Sequence, residues 1–151
     1  EREHPDRAYR GKTTRAANAS DLAAVIDARR AMGERPVIVI IRMHNPTVLA
    51  ELEPYADAIV VDFGVQQEVV WDLLHGDAEP RGLLPMTLPA SMEAVEAHAE
   101  DLPFDYEPYV DAVGHAYAFG YGMGWDGVIE DDRTGRYRPD REHSRAAERN
   151  L

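Results

Sequence analysis

The stretch RPVIVIIRMHNPTVLAELEPYADAIVVDFGVQQEVVWDLLHG, Arg35 to Gly76, decides the fold of this chain. Pro36 opens the run Val37 to Ile41, in which every residue is β-branched and no polar position alternates with the apolar ones. Such a strand is covered on both faces, the condition of a parallel sheet. Asn45 then offers a helix cap and Pro46 a first-turn residue, which predicts a short helix to about Glu53. Ala58 to Phe63 reads as a second buried strand, so the two strands and their connection form a βαβ unit with a right-handed crossover. Gly64 ends that strand, and Val65, Val69, Val70, Leu73 and Leu74 share one face of a helix closed by Gly76.

Working outward, Ser20 caps a helix over Asp21 to Met32, with Leu22, Val25, Ile26 and Met32 as its apolar stripe and Gly33 as its C-terminal stop. Residues 1–17 are polar and without periodicity, an arm or linker. Beyond Gly76, Pro85 and Pro89 frame an extended piece, and proline confines such a piece to a sheet margin. Met92 to Glu100 has weak helical character, and Tyr117 to Trp125 alternates glycines with large rings, as in a loop that lays its rings on a surface. Residues 130–151 read as a flexible tail, which leaves 18–129 as the folded unit. The expected class is α/β, a three-layer sandwich with a mainly parallel sheet and helices on both faces.

Composition narrows the function. In 151 residues, 16 Lys+Arg stand against 28 Asp+Glu, a net charge of -12 that repels nucleic acid and anionic lipid surfaces. No apolar run nears the roughly 20 residues a bilayer needs. With no cysteine, disulfides, thiolate metal sites and cysteine nucleophiles are excluded. GxSxG, GxxxxGK[ST] and HExxH are all missing, and the histidines are scattered, so neither a metal nor a nucleotide cofactor is expected. Glu130-Asp131-Asp132 reads as a solvated turn rather than a calcium site. The chain opens on Glu1 without an apolar signal core and reads as an internal piece of a longer polypeptide.

Ligands of parallel sheets gather beyond the carboxyl ends of the strands. Two loops qualify, Arg42 to Asn45 and Asp62 to Glu68. Arg42 and His44 suit an anionic or polyhydroxylated ligand, and Gln66, Gln67 and Glu68 suit sugar hydroxyls. Each also has a structural reading: Asn45 as a cap, Gln66 to Glu68 as first-turn helix residues, and Asp62 as acceptor for loop amides.

Leu74, Gly76, Pro80, Gly82, Leu84, Pro85, Thr87 and Pro89 stand in the register L-x-G-x-x-x-P-x-G-x-L-P-x-T-x-P, and Phe119 to Met123 form an FGYG-type segment. On these motifs the chain resembles the C-terminal α/β sandwich domain of family 3 glycoside hydrolases. The resemblance implies a retaining β-glycosidase, which needs two carboxyl groups about 5 Å apart. It places the aspartate nucleophile on an N-terminal TIM-like barrel that this chain lacks, so the chain alone is expected to be inactive. It brings Glu1 and Glu3 into range as acid/base candidates, with Glu68 behind them. Implied substrates are β-linked oligosaccharides or glucosides with terminal glucosyl or xylosyl units, met by His44, Gln66, Gln67 and Glu68. Tyr117 and Tyr121 are candidates for an aglycone-side wall, and Trp71, at helical spacing, reads as a packed core ring. Relatives are often secreted or periplasmic. A free-standing flavodoxin-like module and a non-catalytic carbohydrate-binding module fit the same strand pattern. A joint left open by a missing barrel would also favour homo-oligomers.

Overall fold

The computed structural model describes residues 19–98 and 107–137. Strands β1 (Ile38–Arg42) and β2 (Ala58–Asp62) pair in parallel, Ile38 opposite Ala58 and Arg42 opposite Asp62. This is the sheet that the β-branched runs called for, and the architecture is α/β. Helix α1 (Ala19–Met32) precedes β1, and α2 (Gln67–His75) follows β2. Helix α1 already runs from Ala19, so Ser20 lies inside it rather than at its cap.

The connection from β1 to β2 departs from expectation. No helix forms from Asn45 to Glu53; a single 3-10 turn spans Glu53–Tyr55. Leu49 is the reason: it is 1% exposed and packs with Met43 and Leu88, while its carbonyl accepts the N–H groups of Leu52 and Glu53, both at 2.9 Å. Burying Leu49 fixes a path that Pro46, Thr47 and Val48 do not oppose, since β-branched residues and proline favour extended backbone.

Coverage also differs. Along β1 the exposed residues Ile38, Ile40 and Arg42 alternate with the half-buried Val39 and Ile41. Within the described residues, therefore, β1 is covered on one face only. Ile41, Ile59 and Val61 pack on the Met43–Leu49–Leu88 core. The other face meets α2 across a shallow cavity of about 280 Å3.

Helix α1 buries none of its residues and is fastened at its C-terminal end. Arg29 donates from Nε to the Tyr55 carbonyl at 3.0 Å and from Nη2 to the Asp57 carboxylate. Asp57 in turn accepts the Val37 N–H at 2.7 Å, which ties the entries of both strands together.

The segment between Pro85 and Pro89 joins neither sheet as a strand and pairs through Leu84 and Leu88. Leu88 donates to Tyr117 and accepts from Tyr109, each at 2.9 Å, and Leu84 exchanges bonds with Tyr121 and Gly120. Leu88 and Pro89 are among the most buried residues described. The prolines occupy positions whose missing N–H groups the neighbouring segments do not need, so Leu84 and Leu88 carry the pairing. Helix α3 (Met92–Ala97) follows, capped by Ser91 Oγ, which accepts the Ala94 N–H at 3.2 Å. The hairpin β3 (Met123–Gly124) and β4 (Gly127–Val128) leads to α4 (Asp132–Tyr137). The stretch expected as a flexible tail thus begins with a helix, capped through Asp131 Oδ1 and tethered by Arg133 Nη1 to the Arg81 carbonyl at 3.0 Å. Residues 138–151, like the arm 1–17, lie outside the described residues.

Candidate functional site

The register that sets Arg42 against Asp62 makes the two candidate loops leave the sheet side by side. Asp62, 5% exposed, organises both. Its Oδ1 accepts the N–H groups of Gly64 at 2.6 Å and Val65 at 2.7 Å, and its Oδ2 accepts Arg42 Nε at 2.9 Å. Its carbonyl accepts the Met43 N–H at 2.8 Å, which joins the first loop to the second strand. The Val65 and Gly64 amides, with the Arg42 guanidinium, hold the Asp62 carboxyl below the usual carboxylate range. A carboxylate so held stays ionised at neutral pH and cannot lend a proton, so Asp62 is a scaffold of the site. The reading of Asp62 as acceptor for loop amides agrees with this.

Of the residues expected to meet a sugar, His44, Gln66, Gln67 and Glu68 are all exposed at this edge. Gln66 precedes α2 in extended conformation, and Gln67 and Glu68 occupy its first turn. Gln67 lines the cavity together with Arg42, Asp62, Ile40 and Trp71. Trp71 is not the packed core ring expected: it is 51% exposed and stacks on His75, ring centroids 6.0 Å apart. Glu1 and Glu3 lie outside the described residues.

Tyr117 and Tyr121 stack at 5.2 Å, and Tyr109 meets Tyr117 edge-on at 5.4 Å. Tyr117 is half-buried and packs against the Leu49–Leu88 core. Burial, helped by the Asp111 charge, pushes the Tyr121 hydroxyl up to about 12, which keeps it a neutral donor. Beside them stands a pair that the sequence reading passed over. Asp111 Oδ2 lies 3.0 Å from His115 Nδ1, while Oδ1 accepts the backbone N–H groups of His115 at 2.8 Å and Val113 at 3.1 Å. The i,i+4 spacing with Gly114 between them was the available signal. Their bonds close a tight turn, and the arrangement is that of a structural clamp. Among the described residues no three His, Asp or Glu side chains converge as a metal site would require, and no helix is long and apolar enough to cross a membrane.

Comparison with known proteins bears on this edge. The model of the glycosyl hydrolase family 3 C-terminal domain matches residues 1–125. Beta-glucosidase C of Emericella nidulans is 43% identical over 84 residues, 56% of this chain and 14% of that protein. The periplasmic beta-glucosidase/beta-xylosidase of Dickeya chrysanthemi is 33% identical over 94 residues, covering 62% of this chain and 14% of its own length. The periplasmic beta-glucosidase of Salmonella typhimurium is 27% identical over 125 residues, 73% of this chain and 16% of that protein. The chain thus spans only a small fraction of the length of these curated relatives. No solved structure matches.

Proposed function

Since the chain belongs to the glycosyl hydrolase family 3 C-terminal domain family, we propose that it is part of the C-terminal domain of a retaining β-glycosidase that removes terminal β-linked glucosyl or xylosyl units. The observation that carries this is the family match over residues 1–125, which includes both loops at the carboxyl ends of β1 and β2. The names of the relatives, beta-glucosidase and beta-glucosidase/beta-xylosidase, support the substrate class. In this reading the nucleophilic aspartate comes from an N-terminal barrel domain, and the acid/base from the arm holding Glu1 and Glu3. Further strands and helices complete a three-layer sandwich over the open face of β1.

The chemistry then divides as follows. His44, Gln66, Gln67 and Glu68 bind hydroxyls of the sugar or its leaving group from one side. The barrel's carboxylate attacks the anomeric carbon from the other, about 5 Å from the group that protonates the glycosidic oxygen. Asp62 and Arg42 keep the two loops at fixed spacing while this happens.

The test is an assay with an aryl β-glucoside. The chain alone should release no phenol, and the chain combined with a family 3 N-terminal domain should release it. Turnover by the chain alone, or flavin binding in place of any pairing, would count against the reading.

A further inference from the structure

The turn after β2 is built to be rigid, yet it presents apolar side chains to water. The Asp62 carboxylate fixes its backbone through the N–H groups of Gly64 and Val65. On that frame Phe63 is 43% exposed and Val65 44%, and Val69, one turn into α2, is 42% exposed. Turns ordinarily carry polar side chains, which water solvates readily, and exposed apolar side chains close together in sequence on a held frame mark a contact surface.

We propose that Phe63, Val65 and Val69 form the seat on which the N-terminal domain of a family 3 glycosyl hydrolase docks. This rests on the function proposed above. A two-domain glycosidase must bring its second carboxyl group to within about 5 Å of the first. The partner domain therefore approaches the edge where the sugar-binding residues stand, and Phe63 and Val65 immediately precede Gln66. The relatives have polypeptide enough for such a partner, since this chain covers 14% of the Emericella nidulans protein. A second copy of this chain suits the seat less well, because a net charge of -12 repels its own kind. The exposed hairpin residues, Trp125 foremost, belong to a different element and supply the control.

The experiment is calorimetric titration of the whole chain with a family 3 N-terminal domain polypeptide. Wild type should bind saturably. The double variant F63S/V65S should bind at least about tenfold more weakly, and V69S should weaken binding in the same direction, as hot-spot truncations do. Both should keep the wild-type circular dichroism, and W125S should bind as wild type does. Unchanged binding by F63S/V65S, or an equal loss in W125S, overturns the seat and leaves the proposed function standing. No binding by wild type overturns both.

Discussion

At Asp62 a single carboxylate holds two loops, and its environment makes the consequence of acid calculable in sign. The Val65 and Gly64 amides and Arg42 lower its pKa, and the Val37 amide with Arg29 does the same for Asp57. A carboxyl whose pKa is lower folded than unfolded adds stability above the unfolded value, about 3.9, and loses it as pH falls through the folded value. Melting temperature should hence decline steadily from about pH 5 downward. In Asp62→Asn the decline should be shallower and the neutral-pH midpoint lower, because the amide cannot accept from three donors as the carboxylate does. A melting curve set that is flat in acid would refute the assignment. Leu49, 1% exposed, makes the apolar counterpart. Leu49→Ala should cost about 2–5 kcal/mol in denaturant unfolding, the range for large-to-small core changes.

Elements show which signals in the sequence were strong. The runs Ile38–Arg42 and Ala58–Asp62 became strands because β-branched chains have little other use, and Gly76 ended α2 in the left-handed conformation, φ 82, as its position foretold. What local signals missed were the tertiary decisions. Asn45-Pro46 is a sound helix start, but burying Leu49 outweighed it. Two glycine substitutions separate the local kind of constraint from the long-range kind. A Cβ on Gly76 meets nothing within 4 Å, so Gly76→Ala pays only for the left-handed backbone, about 1–2 kcal/mol. A Cβ on Gly122 would collide with the carbonyl oxygen of Gly82, a backbone atom that cannot swing aside. Gly122→Ala should therefore destabilise more, by about 3 kcal/mol, since overpacking forces the backbone to move. Equal midpoints for the two variants in urea would contradict that close approach. Of the candidate site, the edge carrying His44 and Gln66 to Glu68 was legible from strand polarity alone. The clamp of Asp111 and His115 was not, because Asp-x-x-x-His has no fixed meaning until the turn around Gly114 closes.

Taken whole, the molecule sets an apolar face that its described residues leave exposed against a strong charge of one sign. Ile38, Ile40 and Trp71 stand 47%, 46% and 51% exposed along β1 and α2. The β-branched run implied cover for that face, and the described residues do not supply it; a run of isoleucines records that a partner is needed but not which one. Uncovered, the face favours association by removing apolar area from water, about 25 cal/mol for each Å2. The net charge of -12 opposes it by repulsion between copies. Salt tips this balance in a predictable direction. Raising ionic strength from about 0.01 to 0.15 M shortens the Debye length from roughly 30 to 8 Å, which screens the repulsion and leaves the apolar attraction intact. The average mass of the chain by light scattering should therefore rise with salt, and Trp71→Ser with Ile40→Thr should suppress the rise. Association that instead weakens as salt is added would mean that ion pairs, and not this face, hold the copies together.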